Sequence, residues 1–310
     1  MPTPVLLTLD LLARYLRHLA DDRRLGETTV AGYREELGLL VRRAIPLEPE
    51  ALAAFVTRQA DGTLLAPSTR NRRLVIVRGL CAWLVRERVL AADPTTGISR
   101  ARVPRSVIAA PGVADVERLL GVLASEAPSW RRARDTTILL LFFYTGLRVA
   151  ELAGLDVAQV DFATGHLRGA TRKGGGRTDV VLHPCAAEVV RAWIEVRGRD
   201  DGSLFPSRVN PRGFTSAASS PVVYRLTTRA IQLRLARLGE RAGLAVRLHP
   251  HLLRHAHATA LLRVGVATEI IRQSLNHASL ATTARYLHGD EALLRDAIGR
   301  LPWLSARMGA

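Results

Sequence analysis

Arg148 and Glu151 stand three residues apart in Tyr144-Thr-Gly-Leu-Arg148-Val-Ala-Glu151, just past a glycine that ends one helix before another begins. At that spacing a carboxylate holds a guanidinium fork in one orientation, as gripping an anionic oxygen requires. His251 and Arg254 repeat the spacing in His249-Pro-His251-Leu-Leu-Arg254-His255, with Pro250 at the start of a helix. Both share a face beside a positive helix end, which suits the same kind of oxygen. Lys173 is the one lysine among the 44 Lys and Arg residues of the chain, all the others being arginine. A guanidinium stays protonated at any working pH, whereas an ammonium can give up its proton, so Lys173 is a candidate proton donor, against the plainer reading of a surface residue. Leu275-Asn276-His277 ends a later helix, and Thr282-Thr-Ala-Arg-Tyr286 closes the set.

The partner for such groups follows from charge. The 310 residues carry a net charge of +16, with +6 in residues 1–110 and +10 in 111–310. Two basic lobes suit a clamp around a duplex better than one binding module beside a neutral passenger. A membrane surface would call for a basic amphipathic segment or a lipidation signal, and neither is present. The longest apolar run, Ile138 to Phe143, is far too short to span a bilayer. Asp10 interrupts the leucines of the amino terminus, which argues against a signal peptide. Cys81 and Cys185 make no disulfide framework, so the expected setting is a reducing cytoplasm.

These residues need a scaffold, and the pattern supplies two. Residues 1–98 read as a helical domain, with Leu9, Leu12, Tyr15, Leu16 and Leu19 and then Val30, Tyr33, Leu37 and Leu40 at helical spacing. Thr28 or Thr29 is placed to cap the second helix, and a third follows Pro49. A fourth runs from about Ser68 to Leu90 with Arg70, Arg72 and Arg73 in its first turn. Cations there oppose the helix dipole, so they are expected to meet phosphate. Residues 99–112 read as a linker broken by Pro104, Pro111 and Gly112, with Arg100, Arg102 and Arg105 set to lie along a phosphate backbone. Residues 113–310 mix periods: helices at 113–125, 131–145 and 149–154, strands at 157–161, 166–171 and 178–182, then helices at 185–197, 227–242, 250–264, 267–275 and 279–287. Gly174–Gly176 makes a turn between the last two strands, which puts Lys173 at the mouth of a hairpin. Pro206 to Pro221 reads as a surface loop. The fold class is mainly α with a small β-sheet.

Taken together, these boxes resemble the tyrosine recombinase family, the phage-integrase and Xer-type enzymes. Its pattern is a TGLR-x-x-E box, a lysine on a β-hairpin, an H-x-x-R-H box, an L-G-H box and a tyrosine some nine residues on. Arg148 with Glu151, Lys173, His251 with Arg254, His277 and Tyr286 match it in order. Ser68 to Pro94 likewise resembles the family's helical core-binding domain. The resemblance implies a helical core-binding domain and a catalytic domain forming a C-shaped DNA clamp. It further implies a site-specific recombinase that cleaves and rejoins DNA in integration, excision or resolution. Tyr286 is then the nucleophile that forms a 3′-phosphotyrosyl link, and Arg148 and Arg254 hold the non-bridging oxygens. Lys173 protonates the leaving 5′-oxygen, His251 assists at the tyrosine, and His277 donates to phosphate. No metal and no cofactor is implied, because the link keeps the bond energy for rejoining. The implied partners are duplex half-sites and three further subunits, in a homotetramer or a heterotetramer with a paralogous recombinase. Residues 289–310 would be the tail that subunits exchange, with Leu293, Leu294, Ala297 and Ile298 as its apolar stripe. The implied location is the bacterial cytoplasm, on the nucleoid. Two features depart from the pattern: Asn276 stands where the family has glycine, and the 206–221 loop exceeds the Xer-type minimum.

Other readings of the same residues carry less weight. His249, His251, His255 and His257 suggest a metal site, but Arg254 among them repels a cation. His255 and His257 read as core or supporting residues. Tyr15, Tyr33 and Tyr224 read as structural, Tyr144 as packing near the first box, and Cys185 as inert. A type IB topoisomerase-like relaxing enzyme would use similar chemistry, though the compact two-lobed layout and the tail favour recombination. A catalytically silent DNA-binding regulator would have lost a box residue, and all are present.

Overall fold

In the computed structural model the described residues are 4–103, 110–127, 129–171, 176–198, 202–207, 225–275 and 294–304. The chain divides into two compact units, Met1–Val107 and Ile108–Ala310.

The first unit is helical: α1 (Leu9–Asp21), α2 (Glu27–Arg42), α3 (Pro49–Thr57) and α4 (Pro67–Arg86). Leu12, Tyr15, Leu16, Leu37, Leu40, Leu52, Phe55, Leu74, Val77, Leu80 and Leu84 make its core. The Thr8 hydroxyl accepts from the Leu11 amide at 3.2 Å and starts α1. Neither Thr28 nor Thr29 caps α2; Gly26 holds the N-cap position and leaves both threonines inside the first turn. α4 stops at Arg86 rather than near Leu90, because Arg88 turns left-handed at φ 59°. The Asn71 amide exchanges two 2.8 Å hydrogen bonds with the Ala101 backbone, so the stretch expected as linker begins folded onto α4.

The second unit is built on α6 (Trp130–Thr145), whose residues from Ala133 onward are all buried. α5 (Val113–Ala124) packs beside it, and α7 (Val149–Ala153) follows its end. A three-stranded antiparallel sheet comes next: β1 (Val160–Asp161), β2 (His166–Thr171) and β3 (Arg177–Val181). Val157–Gln159, expected as strand, is a 3-10 turn instead, with the Gln159 side chain accepting from the Asp156 amide at 2.9 Å. β2 and β3 pair from His166↔Val181 to Thr171↔Arg177, with a register shift at Gly169, φ 56°. α8 (Pro184–Arg197) and α10 (Pro250–Arg263) pack on α6. α9 (Thr228–Arg241) is tied to α6 by Arg234, which meets buried Asp135 at 2.5 Å. α11 (Thr268–Ser274) follows α10, and residues 294–299 are helical. The helix expected at 279–287 lies outside the described residues, as does the 206–221 loop beyond Ser207. Pro206 pairs with Arg225, closing the base of that insertion. Among the described residues, no helix is long and apolar enough to cross a membrane.

Candidate active site

Gly146 is the pivot. It ends α6 in the left-handed region at φ 59°, its amide bonded to the Phe142 carbonyl at 3.0 Å. A side chain there would be strained, and a Cβ would stand 2.6 Å from His257 Cδ2 and 2.7 Å from Leu275 Cδ2. Three segments far apart in sequence thus close on one glycine.

Two residues later Arg148 opens α7. Glu151, 5 % exposed, accepts at Oε1 from Arg148 Nη1 and at Oε2 from the Arg148 amide, both at 2.8 Å. One carboxylate therefore fixes both the helix start and the guanidinium, whose side chain stays one-third exposed. Arg254 comes from α10 and is buried. Its Nη1 donates to the Gly146 carbonyl at 2.5 Å, and its Nη2 donates to the Leu275 carbonyl. Sequence reasoning missed both partners, since backbone carbonyls leave no signature in residue types.

α10 begins at His249, whose Nδ1 accepts from the Leu252 amide at 3.2 Å. The exposed His251 ring lies 4.6 Å from that of His255, edge to face, and 6.5 Å from that of His249. Burial lowers the His249 pKa, and the neighbouring His255 lowers it further. His257 is 2 % exposed, with Nδ1 2.8 Å from the Phe143 carbonyl. Burial pushes its pKa down to about 4; the Phe143 bond opposes this, and the Arg254 charge adds to it. Among the described residues, no three His, Cys, Asp or Glu side chains converge as metal ligands.

The β2–β3 hairpin is braced below its turn. Arg168 spans Asp161 at 3.1 Å and Asp179 at 2.6 Å, while the other Asp179 oxygen accepts from the Gly169 amide at 2.8 Å. Gln159 donates to the carbonyls of Arg168 and Gly169, both at 3.0 Å. Lys173 in the connection lies outside the described residues, as do Asn276, His277 and Tyr286. The site therefore joins Arg148 and Glu151 of α7 with His251 and Arg254 of α10, the two helices meeting at the end of α6.

The phage integrase family profile matches residues 113–292, and the profile of the phage integrase N-terminal SAM-like domain matches residues 12–88. Tyrosine recombinase XerC of Pseudomonas aeruginosa (strain LESB58) is 32 % identical over 90 % of each chain. The chain belongs to the phage integrase family, the tyrosine recombinases. Among solved structures, the Tn1549 transposon integrase in complex with circular intermediate DNA aligns with a TM-score of 0.67 at 16 % identity, covering 87 % of this chain and 92 % of that one. The lambda integrase dimer bound to a COC′ core site aligns with a TM-score of 0.66 at 18 % identity, covering 88 % and 96 %. Their likeness concerns the fold.

This tyrosine recombinase presents its expected DNA-facing arginines unevenly. Arg72, Arg100 and Arg102 are exposed and Arg70 is half-buried, while Arg105 lies outside the described residues. Arg73 is corrected: it is 7 % exposed, paired with Glu36, stacked on Phe55, and bonded to the carbonyls of Phe55 at 2.8 Å and Arg58 at 3.2 Å. Its guanidinium is consumed in joining α2, α3 and α4. The described part of the carboxyl-terminal tail is seated on its own unit. Ala297, Ile298, Leu301 and Leu304 enter the core. The buried Tyr144 hydroxyl donates to the Pro302 carbonyl at 2.7 Å and accepts from the Leu304 amide at 3.0 Å. His183 stacks flat on Tyr144 at 4.3 Å, and Cys185 Sγ donates to the Leu304 carbonyl at 3.1 Å. Arg295 reaches the hairpin base, 2.9 Å from the Thr164 carbonyl. Tyr144 is thus a tail anchor as well as a neighbour of the first box.

Proposed function

We propose that this site-specific tyrosine recombinase cleaves duplex DNA with Tyr286 as nucleophile and Arg148 and Arg254 on the non-bridging oxygens of the scissile phosphate. The observation that carries the reading is the shared Gly146 turn. Arg254 is bonded to the carbonyl of Gly146, Arg148 follows two residues later, and buried Glu151 orients Arg148. Two such cations, held in place and set on one phosphate, would offset the charge that grows as phosphorus is attacked, with no reorganisation at the moment of reaction.

Tyr286 attacks phosphorus, giving a 3′-phosphotyrosyl link and a free 5′-hydroxyl. Lys173 gives its proton to the departing 5′-oxygen, His251 takes up the proton of the tyrosine, and His277 donates a hydrogen bond to phosphate. Rejoining runs the same steps backwards, and the phosphotyrosyl bond supplies the energy, so neither metal nor cofactor enters. Residues 1–98 serve as the core-binding domain and 113–310 as the catalytic domain. With the basic linker between them, the two close as a clamp on a half-site, Arg70, Arg72, Arg100, Arg102 and Arg105 contacting phosphates. Four protomers synapse two duplexes, and residues 289–310 pass between neighbours in a ring-closing contact, which calls for release of the Tyr144 anchor.

A suicide half-site nicked beside the cleavage point tests the reading. The full chain becomes covalently linked to it, and Tyr286→Phe binds with unchanged affinity but forms no adduct. A Phe variant that still becomes linked overturns the assignment.

A further inference from the structure

We infer that His257 is a positioning residue for strand cleavage: its imidazole locks the Gly146 turn in the shape that offers a carbonyl to Arg254. The inference rests on the reading that Arg148 and Arg254 grip the scissile phosphate. It adds a residue that touches no substrate and that the pattern of boxes does not include.

The last carbonyls of α6 have no partner within the helix and must find one elsewhere. The Gly146 amide takes that of Phe142, and the His257 ring takes that of Phe143 at 2.8 Å. A carbonyl only accepts, so Nδ1 carries the hydrogen and the neutral ring has a fixed tautomer. A buried imidazole is costly without such a bond, and an apolar ring would fill the same space while leaving Phe143 unsatisfied.

The same ring walls the turn. Its Cδ2 lies where a Gly146 Cβ would come within 2.6 Å, so ring and glycine are in direct contact. Arg254 and His257 are three apart on α10 and share a face. That face therefore grips the end of α6 at two points, His257 on Phe143 and Arg254 on Gly146. With both in place, the Gly146–Leu147 peptide, one residue before Arg148, is held on its carbonyl side. Without the His257 donor, the Gly146 carbonyl loses its orientation, and Arg254 keeps only the Leu275 carbonyl of the two that hold it.

The test uses the full chain and single-turnover formation of the covalent adduct on the nicked half-site. His257→Phe keeps a ring but no donor, whereas the side-chain amide of His257→Asn sits where Nδ1 was. Each is assayed on an ordinary scissile phosphodiester and on a methylphosphonate at the same position, whose missing charge removes most of the arginines' task. His257→Phe is expected to slow adduct formation on phosphodiester by about tenfold or more, with half-site affinity changed by less than about threefold. His257→Asn restores most of the rate, and the Phe defect shrinks to under about threefold on methylphosphonate. An equal defect on both substrates, or no defect, overturns the positioning role. If the Phe variant loses its melting transition, His257→Leu takes its place, and a Leu variant as fast as Asn overturns the inference. Arg254→Ala separates the two levels. Wild-type cleavage by that variant sinks the functional reading, whereas an inactive Arg254→Ala beside a fully active His257→Phe sinks only the role of His257.

Discussion

Arg254 reaches back 108 residues to donate a 2.5 Å hydrogen bond to the carbonyl of Gly146. The glycine is held there by its left-handed φ and by the ring of His257 and the side chain of Leu275, which leave no room for a Cβ. Gly146→Ala combines backbone strain with overpacking, together about 2–4 kcal/mol. It should lower the melting temperature and slow covalent capture of DNA more than it weakens binding. A variant that melts and cleaves like the parent would show that the turn has slack.

Lys173→Arg keeps the charge and removes the accessible proton. Cleavage of ordinary DNA should fall by about 10²–10⁴-fold with little change in binding. A 5′-bridging phosphorothiolate has a leaving group that needs no proton and should restore the rate. Wild-type cleavage of ordinary DNA by Lys173→Arg would remove the general-acid role.

Arg72 and Arg73 are adjacent in sequence but expected to fail differently. Arg73→Ala leaves Glu36 without its buried partner and strips two carbonyls of a donor, a cost of about 3–5 kcal/mol in thermal or urea unfolding. Arg72→Ala should leave unfolding unchanged and reduce the salt slope of DNA binding by about 1. The reverse pattern would reassign both residues.

Tyr144→Phe orphans the Leu304 amide and the Pro302 carbonyl, at about 1–3 kcal/mol for a buried group. Removal of residues from Asp290 onward also uncovers the apolar surface that Ala297, Ile298, Leu301 and Leu304 cover. The truncated chain should melt lower yet still bind a half-site, and it should lose cooperative pairing of two protomers. Cooperative recombination by the truncated chain would exclude exchange of the tail between subunits.

Stability should fall with acid in a defined interval. Burial holds the pKa of His257 down to about 4, and burial also lowers His183 and His249. Unfolded imidazoles titrate near 6.5. Below about pH 6.5 the unfolded chain takes up protons that the folded chain refuses, so stability fully present above that pH drains away towards pH 4. His257 alone accounts for on the order of 3 kcal/mol at the low end. Melting followed from pH 7.5 to 4.5 should show the loss, and His257→Asn should flatten it. A flat profile for the parent chain would contradict the buried, neutral state of His257.

The sequence was legible where function or burial dictates side-chain type. Helical spacing and breaker residues located α1 to α11, since most bury a stripe while α6 is buried all round from Ala133, and the two arginine boxes sit at helix starts as their prolines and glycines required. It was less legible where the partner is backbone. Nothing in the residue types could reveal that Arg254 bonds to two carbonyls or that Tyr144 pins Pro302 and Leu304. Arg73 misled for a related reason: it reads as a first-turn cation opposing the dipole, whereas it is the seventh residue of α4, and only packing reveals its pairing with Glu36. The strand expected over 157–161 shrinks to β1 at Val160–Asp161, because at Val157–Gln159 the Gln159 side chain closes a capping bond on Asp156.

Cys185 gives the tail a built-in reporter. Its thiol is 3 % exposed and lies under the Leu304 carbonyl, and burial raises its pKa, so it is shielded from alkylation while the segment is seated. Cys81, buried in the other unit with a pKa pushed up to about 12, supplies the silent control in the same molecule. Thiol labelling therefore tests the proposed exchange without an introduced probe: if the segment leaves its own unit on synapsis, Cys185 should become reactive until a neighbour's segment covers it, while Cys81 should stay unlabelled; a Cys185 that stays shielded throughout recombination would exclude departure of the tail.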